Sequence, residues 1–416
     1  ATPPTKSASP WTPGTSATGP SGSTSCTSSR RSRLYLLGKV LIEGEERMRV
    51  LQATIANDKG GLTGYIVNNY RRIDRDEFQF DFLTYDEHLD FQNEIESLGA
   101  RVYRFPHPTS LFQYYQQLKK LRKDNSYEII HFHMSYANII PLIAAKLAGF
   151  SRIIMHSHST GLDTPSVTVR MIKLLLHKLG RYMIPFLATD YLACSELAAR
   201  WMYPDCIMKK KKYQIMHNAV DLEKFKFNKD IRESIRKKLG ILDSCYVIGH
   251  VGRFTYQKNH EFLIDVFAAL CRRTSDTMLL LIGDGPDCLD IKEKVKRYGL
   301  TDKVKFLGQR SDISALYQAM DVMVLPSRFE GLCIVAIEAQ VAGLPCVCSK
   351  VLSQETKVSC DFIYKSLSES AESWAECVLS QIGKKRMDTT SMMRDAGYDS
   401  ILEIKKIEQL YQYKTL

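Results

Sequence analysis

The sequence predicts an α/β protein with two domains, each built on a parallel β-sheet that is covered on both faces by helices. At 416 residues and 47.5 kDa the chain exceeds the usual size of one hydrophobic core. From Met48 onward, apolar segments of strand length alternate with helical segments, and the alternation begins again near Tyr246. The 44% hydrophobic and 25% charged residues are typical of a globular protein.

The first series of elements begins with the strand MRVLQATI, glycines at Gly60 and Gly61, and a predicted helix from about Thr63 to Ile73. Later strands are predicted at Phe78 to Thr84, Arg101 to Phe105, Glu128 to His133 and Arg152 to Ser157. Helical stretches separate these strands, so a parallel sheet is expected. We place this domain at 48–218, with its last strand and a hinge near Asn218 in the charged, irregular segment that follows KKKK.

The second series contains the strands CYVIGHVGRF, TMLLLIGDG, VKFLG, DVMVLP and PCVCS, again with helices between them. It predicts a second Rossmann-like domain at 219–395. Residues 396–416 are expected to form a helix that crosses back to the N-terminal domain. Ligands of such proteins bind beyond the carboxyl ends of the strands, so the cleft between the two sheets is the expected site.

Residues 1–47 are expected to be a disordered or non-native extension. The first 32 are dominated by Ser, Thr, Pro and Gly. Leu34 to Ile42 is apolar, but Lys39 interrupts it and no small-residue cleavage site follows. Our hypothesis is that native translation starts at Met48, where the periodic pattern begins.

The chain is basic, with a net charge of +11 and a pI near 9.0, which favours phosphates or anionic lipid as partners. Nucleic acid is not expected, because the sequence lacks zinc-finger spacing, an RNP-type strand and a long basic arm. No apolar run reaches the roughly 18 to 20 residues of a membrane-spanning helix. Thr164 to Ala188 forms a basic amphipathic pattern that suits peripheral contact with an anionic membrane. An ordinary helix packed on the sheet explains that pattern equally well.

The strongest local pattern is a pair of glutamates, Glu330 and Glu338, after the strand DVMVLP and at the start of an apolar helix. Gly331, Leu332 and Cys333 would offer backbone N–H groups at the helix N-terminus, a site suited to a diphosphate or a sugar hydroxyl. Glu338 could accept hydrogen bonds from the two ribose hydroxyls. Two solvated helix glutamates would explain the pattern if it stood alone.

Polar residues also follow other strands of the second domain. Arg253 and Lys258 in GRFTYQKN could neutralise a leaving diphosphate, although a basic surface turn is an equally good explanation. Gly283 lies in a glycine turn that ends many parallel strands. Gln309 and Arg310 stand where backbone groups could contact a base, and an ordinary loop remains the alternative.

In the first domain, Gly60 and Gly61 would let a ligand approach the backbone, and a simple helix-entry turn explains them almost as well. Four histidines occur in pairs two residues apart, so they can cluster at neighbouring strand ends. These are His131, His133, His156 and His158. No carboxylate or cysteine completes a metal ligand set, so we expect no metal and one histidine facing the cleft.

Taken together, the motifs resemble glycosyltransferase family 4, in that family's order and over nearly all of Met48 to Leu416. The segments are GGLTGYIVNNY, MHSHST, HNAVDLEKF, GRFTYQKNH, LIGDGP, FLGQRSDI and FEGLCIVAIEAQVAGLPCV. Within the family, MHSHST and LPCVCSKVLSQET are most similar to exopolysaccharide or capsule enzymes of the EpsF type. The resemblance implies the GT-B fold of two Rossmann-like domains, retention of anomeric configuration, and catalysis without a divalent cation or other cofactor.

The resemblance also assigns roles to matching residues. Arg253 and Lys258 would bind the diphosphate, Glu338 the ribose, and Glu330 the transferred sugar. His158 would reach that sugar from the first domain, with His156 as the alternative, and Gly61 would admit acceptor or phosphate. The implied donor site extends to Gly283, Gln309, Arg310, Gly331, Leu332 and Cys333, and less firmly to Gly60 and Asn218.

The expected activity is transfer of a hexose from a nucleotide sugar, with UDP favoured, to a lipid-linked or oligosaccharide acceptor in cell-surface polysaccharide synthesis. The expected place is the cytoplasm, at the inner face of the membrane. A nucleotide-sugar epimerase or hydrolase of similar build is the first alternative, with Asp163 as its nearest acid or base. A catalytically silent sugar-nucleotide-binding subunit and a histidine metalloenzyme are the others.

Overall fold

The computed structural model describes residues 35–37, 40–42, 47–57, 60–108 and 110–413. In the extension that was predicted to be disordered or non-native, β1 (Tyr35–Leu37) and β2 (Val40–Ile42) pair as an antiparallel hairpin. The other residues of the predicted extension, except Arg47, lie outside the described residues, and their non-native origin stays a prediction. Residues 47–416 form a compact unit of their own.

The first sheet of this unit has seven strands, all parallel. They are β3 (Met48–Ile55), β4 (Phe78–Thr84), β5 (Val102–Arg104), β6 (Ile129–Met134), β7 (Arg152–Ser157), β8 (Asp190–Ala193) and β9 (Gln214–Ile215). Their spatial order is β5-β4-β3-β6-β7-β8-β9. Strands before β6 are added on one side of β3 and later strands on the other, so the order of strands reverses between β3 and β6. All seven residues of β4 are buried, as expected for a parallel strand covered on both faces.

Helices connect the strands of the first sheet and lead out of it. They are α1 (Gly61–Arg72), α2 (Gln92–Ser97), α3 (Leu111–Asn125), α4 (Ile139–Ala148), α5 (Val167–Leu187), α6 (Glu196–Met202), α7 (Asp205–Met208), α8 (Leu222–Phe225) and α9 (Lys229–Lys238). Side-chain caps define several of their starts. Ser110, Asn138 and Ser195, for example, each accept a hydrogen bond from a backbone N–H in the first turn.

The second sheet has six parallel strands in the order β12-β11-β10-β13-β14-β15. The strands are β10 (Tyr246–Val251), β11 (Thr277–Ile282), β12 (Val304–Phe306), β13 (Val322–Leu325), β14 (Cys346–Ser349) and β15 (Phe362–Lys365). Counted from its first strand, the order is 3-2-1-4-5-6, the arrangement of a dinucleotide-binding Rossmann sheet. The helices are α10 (His260–Cys271), α11 (Cys288–Arg297), α12 (Ile313–Ala319), α13 (Ile334–Val341), α14 (Ala371–Leu379), α15 (Thr390–Asp395) and α16 (Ser400–Gln412), with short 3-10 turns at Thr301–Lys303 and Gln354–Thr356.

The predicted fold class is therefore confirmed: two parallel sheets, each flanked by helices. The helix α16 follows the second sheet in the chain and packs against the first sheet. Ile404, Ile407 and Leu410 are buried in one apolar cluster with Val50 of β3 and Phe80 of β4. The exact domain limits at 218 and 395 stay predictions. Among the residues that the structure describes, no helix combines the length and apolar character needed to cross a membrane.

Candidate active site

The predicted site residues gather where the two sheets reverse their order of strands. Arg253 follows β10 and Glu330 follows β13, and these two strands are neighbours at the reversal point of the second sheet. Gly61 begins the helix after β3, which is the corresponding strand of the first sheet. A crevice opens at this point in doubly wound sheets because consecutive loops lead to opposite sides. The topology thus brings loops from both sheets to one cleft.

The Glu330 carboxylate is held by two side chains of the β10–α10 loop. Lys258 Nζ donates to Glu330 Oε1 at 2.6 Å, and Gln257 Nε2 donates to Glu330 Oε2 at 3.0 Å. Glu330 is only 6% exposed. Burial is the largest single influence on the pKa of Lys258 and lowers it, but the charge and hydrogen bond of Glu330, together with smaller effects of other neighbours, raise the pKa above its usual value. The ion pair therefore places a fixed positive and a fixed negative charge side by side in the cleft.

The loop that carries Glu330, between β13 and α13, also contacts residues that follow strands of the first sheet. Thr160 Oγ1 donates to the carbonyl oxygen of Glu330 at 2.7 Å, and Ser195 Oγ donates to that of Gly331 at 2.6 Å. A Cβ atom on Gly331 would lie 2.1 Å from the carbonyl oxygen of His158, so only glycine allows this approach. We call each sheet with its flanking helices a lobe. The structure therefore shows the first and second lobes in contact across the cleft.

Backbone N–H groups before α13 complete this side of the cleft. Those of Gly331, Leu332 and Cys333 have no hydrogen-bond acceptor among the described residues. A Cβ on Gly61 would touch Ile334 Cγ2 at 3.3 Å, so the starts of α1 and α13 face each other. Helix starts bear a partial positive charge, and unpaired N–H groups there bind anions. This corner is suited to a phosphate group.

Glu338 lies one helical turn into α13 and is half-buried. Tyr317 Oη of α12 donates to Glu338 Oε2 at 2.8 Å. Burial raises the pKa of Glu338 to about 7, and the hydrogen bond from Tyr317 opposes this shift. Glu338 therefore gains or loses its charge near neutral pH. Only the ionised carboxylate can accept hydrogen bonds with both oxygens, so binding of two hydroxyl groups there would depend on pH.

The remaining predicted residues of the second domain divide into two groups. Arg253 is exposed and makes no ion pair with a described residue, so its guanidinium is open to a ligand. Gly283 stands next to it: a Cβ there would lie 2.1 Å from the Gly252 carbonyl oxygen, and φ is +134°. Arg310 instead pairs with Asp312 at 2.6 Å, and Gln309 is exposed beside it. The structure brings neither of these two into contact with Glu330.

The four predicted histidines do cluster. His131 and His133 lie on β6, His156 lies on β7, and His158 follows β7. The ring centroids of His156 and His158 are 4.0 Å apart, and those of His131 and His133 are 4.2 Å apart. His156 is fully buried, whereas His158 is mostly buried but partly exposed and has its backbone against Gly331. His158 is therefore the histidine at the cleft, and Asn218 is buried beside it.

A cation could be held by part of this cluster. Ligand atoms of His131, His133 and His156 lie within 4.8 Å of one another, and all three side chains are buried. Burial, the largest cause in each case, keeps their pKa values well below normal, so the rings are neutral as metal ligands must be. The sequence prediction that no metal binds stays a prediction.

Sequence reasoning missed the side chains that hold the predicted ones. Gln257 binds Glu330, Tyr317 binds Glu338, and Thr160 binds the Glu330 carbonyl. Gln257 and Thr160 do have a sequence signal, because they belong to the motifs TYQKN and MHSHST. Tyr317 had no such signal, since it is an aromatic residue in an apolar helix 21 positions before its partner.

Comparison with known proteins agrees with this geometry. Residues 59–224 match the family model "Glycosyltransferase Family 4", and residues 231–380 match "Glycosyl transferases group 1". The first match contains α1 and the histidine cluster, and the second contains Arg253, Lys258, Glu330 and Glu338. Each lobe of the cleft thus matches a glycosyltransferase model.

Similar proteins include enzymes of polysaccharide synthesis. The candidate glycosyltransferase EpsF of Bacillus subtilis (strain 168) is 32% identical over 88% of this chain and 97% of its own length. An Escherichia coli UDP-Gal:alpha-D-GlcNAc-diphosphoundecaprenol alpha-1,3-galactosyltransferase is 32% identical over 59% of this chain and 63% of its own length.

Solved structures share the fold. HepE of Anabaena in complex with UDP-glucose superimposes with a TM-score of 0.70 at 19% identity, over 88% of this chain and 99% of that one. WaaG, a glycosyltransferase involved in lipopolysaccharide biosynthesis, gives a TM-score of 0.63 at 14% identity, over 88% of this chain and 100% of that one. These neighbours and the two facing parallel sheets identify the GT-B fold. The chain belongs to glycosyltransferase family 4 and is a glycosyltransferase.

Proposed function

We propose that this enzyme transfers a hexose, with retention of configuration, from a UDP-sugar to a hydroxyl of a lipid-linked polysaccharide precursor. The observation that carries the proposal is the buried Lys258–Glu330 pair, which Gln257 and Thr160 hold at the cleft between the lobes. A sugar hydroxyl at Glu330 and a phosphate at Lys258 would lie next to each other, as they do in a sugar diphosphate. The reaction breaks the bond that joins the anomeric carbon of that sugar to the phosphate oxygen.

The diphosphate is proposed to bind between Arg253 and the start of α13. The Arg253 guanidinium is unpaired among the described residues, and the N–H groups of Gly331, Leu332 and Cys333 are available. Lys258 adds a third positive group. Cations and N–H groups fixed in advance stabilise charge that develops on the leaving phosphate, and they do so without a divalent cation. The enzyme is therefore proposed to be metal-independent.

In the proposed reaction, the acceptor hydroxyl oxygen bonds to the anomeric carbon as the bond to the phosphate oxygen breaks. Attack on the face from which the diphosphate departs retains the configuration, and the departing phosphate oxygen takes the hydroxyl proton. His158 is neutral because burial lowers its pKa to about 3, so it orients the sugar rather than donating a proton. Asp163, the residue of the epimerase alternative, is exposed and accepts from the backbone N–H of Gln257 at 3.2 Å.

Closure of the cleft supports transfer to an acceptor rather than to water. Thr160 and Ser195 of the first lobe bind carbonyl oxygens of Glu330 and Gly331 in the second. These bonds form only when the lobes meet, and the neutral His158 lies at the cleft on the side of the first lobe. Exclusion of water limits hydrolysis of the donor. The hinge is proposed to lie near Asn218, between the last strand of the first sheet and α8.

The helix α5 supports a membrane-bound acceptor. It is 21 residues long, or about 32 Å, and buries only His177, Gly180, Ile184 and Leu187. Large apolar side chains along it are exposed: Val167, Val169, Met171, Ile172, Leu175, Leu176, Leu179, Tyr182, Met183 and Phe186. Lys178 is exposed among them. A long apolar face with cations is the signature of an interfacial helix, so we propose that α5 lies on the anionic inner face of the cytoplasmic membrane.

A thermal-shift experiment tests the donor site. UDP, GDP, ADP and their common sugars are added with and without EDTA to wild type and to Glu338→Ala. A ligand that binds the native state raises its Tm by mass action. We expect stabilisation by uridine nucleotides that survives EDTA and is lost in Glu338→Ala. Glu293→Ala, at an exposed α11 position, is the control and should retain the shift. No shift with any nucleotide would contradict the proposed donor.

Liposome flotation tests the acceptor side. The protein should float with anionic vesicles at low salt, and the double variant Leu175→Glu/Leu176→Glu should remain at the bottom of the gradient. Leu289→Glu, at a 72% exposed position of α11, adds charge away from α5 and should float like wild type. If the double variant floats equally well, α5 is not the membrane face.

A further inference from the structure

A row of hydrogen-bonded side chains extends from His158 into the first lobe. In order, its members are His158, His133, Gln52, Tyr411, His131 and His156, and we call them the histidine row. Only His158 is at the cleft, and the other five are buried. The ring of Tyr65 packs edge-on or tilted against three of the histidines. A contact between His158 and a ligand would not by itself need the five hydrogen-bonded residues behind it.

Each link of the row is a hydrogen bond of ordinary length. From the cleft inward, His158 Nε2 to His133 Nδ1 is 3.0 Å, His133 Nε2 to Gln52 Oε1 is 2.9 Å, Gln52 Nε2 to Tyr411 Oη is 3.0 Å, Tyr411 Oη to His131 Nδ1 is 2.7 Å, and His131 Nε2 to His156 Nδ1 is 3.3 Å. Every ring nitrogen inside the row thus has one partner, so the protonation of each ring depends on the next.

Gln52 gives this row a direction. Its amide oxygen can only accept and its amide nitrogen can only donate, so His133 must carry its proton on Nε2 and Tyr411 must receive a hydrogen bond. His133 Nδ1 is then an acceptor, and His158 must donate to it from Nε2. On the other side, the Tyr411 hydroxyl donates to His131 Nδ1, which leaves His131 to donate from Nε2 to His156. All bonds in the row therefore point the same way.

This direction leaves one ring nitrogen at each end of the row without a hydrogen-bond partner among the described residues. His156 then carries its proton on Nε2, an atom that makes no hydrogen bond of normal geometry with any residue that the structure describes, although the backbone of Met216 lies near the ring and favours a proton on it. At the cleft end, His158 Nδ1 is left without a proton. With the direction set by Gln52, this atom and Asn218 Oδ1 beside it are both buried acceptors without a hydrogen bond of normal geometry in the described part of the chain, although the contact with Asn218 by itself favours a protonated ring. A buried acceptor is costly unless a donor reaches it, so this position calls for a hydroxyl or an N–H group.

We propose that Gln52 and Tyr411 are positioning residues: through the histidine row, they hold His158 with Nδ1 unprotonated, ready to accept a hydrogen bond from a hydroxyl of the donor sugar. The inference rests on the proposed function, because it takes the ligand at His158 to be the sugar of the donor. It adds a specificity rule. A sugar with a hydroxyl at this place is bound, and one with an acceptor-only group there is rejected.

The other three histidine rings influence His158 through the direction of their hydrogen bonds and not through a positive charge. Burial, the largest cause for each ring, lowers the pKa of His131, His133 and His156 well below normal and that of His158 to about 3. All four are neutral at pH 7, so each holds one proton on one of two nitrogens. Which nitrogen holds it is set by the hydrogen bonds, and these start at Gln52.

Nitrogen-15 NMR of histidine-labelled, full-length protein reads the proton positions directly. In wild type we expect His158 protonated on Nε2, with its signals assigned by their loss in His158→Gln. In Gln52→Leu, His133 loses its acceptor, so His158 should shift at least half-way to the Nδ1-protonated form. Tyr411→Phe frees the Gln52 amide to turn and should give a smaller shift in the same direction.

The chain offers a matched pair of controls. Gln79 on β4 is 1% exposed and donates to the hydroxyl of Tyr70, so this pair copies the Gln52–Tyr411 contact outside the row. Gln79→Leu and Tyr70→Phe should leave the His158 signals unchanged, although they remove the same groups. The controls separate a loss of the row from a general weakening of the lobe.

Kinetics give the second readout. Gln52→Leu should lower kcat/KM for the sugar nucleotide about tenfold, the usual effect of losing one hydrogen bond of this kind, while the Kd of UDP, which lacks the transferred sugar, stays within twofold. An Nδ1-protonated His158 in wild type, unchanged signals in Gln52→Leu, or one equivalent of tightly bound metal at the histidines would overturn the inference. If no sugar nucleotide binds to wild type, the proposed function fails, while the NMR result still decides the direction of the row.

Discussion

The hydroxyl of Tyr317 is predicted to set the pH at which the enzyme binds its donor. Glu338 must be ionised to accept hydrogen bonds from both ribose hydroxyls, and burial raises its pKa to about 7. Tyr317→Phe removes the 2.8 Å hydrogen bond that favours the ionised form. At about 1 kcal/mol for that bond, the pKa of Glu338 should rise by about 0.7. The ionised fraction at pH 7 then falls from about one half to about one sixth, a loss of affinity of about threefold.

Isothermal titration calorimetry with UDP-glucose at pH 6, 7 and 8.5 measures this effect. A sugar diphosphate diester is chosen because, unlike UDP, it has no phosphate proton that titrates in this range. Wild-type affinity should rise with pH through 7, and Tyr317→Phe should approach wild type at pH 8.5. Glu338→Gln should bind weakly and show no pH dependence. A wild-type affinity that is flat in pH, or a Tyr317→Phe defect of equal size at all three values, would refute the reasoning.

Three further variants test other parts of the cleft and core. Gly331→Ala places a Cβ 2.1 Å from a carbonyl oxygen of the other lobe, so activity should fall at least a hundredfold, whereas Gly64→Ala, which meets nothing within 4 Å, should leave activity unchanged. Arg253→Ala should lower kcat/KM about a hundredfold and Arg310→Ala only a few-fold, in radiolabelled transfer assays, because Arg310 is already paired with Asp312. Ile407→Ala should cost about 2–5 kcal/mol in urea unfolding, since that side chain is 3% exposed; a cost below about 1 kcal/mol would show that α16 docks loosely.

Much of the fold could be predicted because parallel strands buried on both faces are continuous apolar runs. The strands Phe78–Thr84 and Arg152–Ser157 were predicted with the limits that the structure has. Shorter edge strands were less well defined: Arg101 to Phe105 was expected, and Val102–Arg104 is observed. An edge strand has a neighbour on one side only, so its ends depend on tertiary contacts that the apolar pattern does not record.

The site was predictable where function depends on residues near strand ends. The strand order brings Arg253 and Glu330 together at the reversal point of the second sheet and places Gly61 at that of the first. The supporting contacts were not predictable, because they join distant parts of the chain. Gln52 binds Tyr411 across 359 positions, and neither residue belongs to a recognisable motif. The burial of Glu338 also follows from packing, so its raised pKa could not be read from its place in the sequence.

The helix α5 shows the same limit for surfaces. Its sequence fitted a membrane-facing helix and a helix packed on the sheet equally well. Which apolar residues are covered depends on how α4 and the following strand meet it, and only four of its residues are buried. The structure thus leaves its apolar side open, a result that periodicity cannot give.

The docking of α16 links the first lobe to the order in which the chain is made. Strand β3 is translated before the second lobe, yet its Gln52 and Val50 are covered by residues of α16, which are translated about 350 positions later. Until α16 leaves the ribosome, the first lobe has an open apolar groove and an incomplete histidine row. A nascent or truncated chain therefore lacks the Tyr411 that orients His158. Folding of the first lobe, and with it the final arrangement of the cleft, is completed only after translation has passed the second.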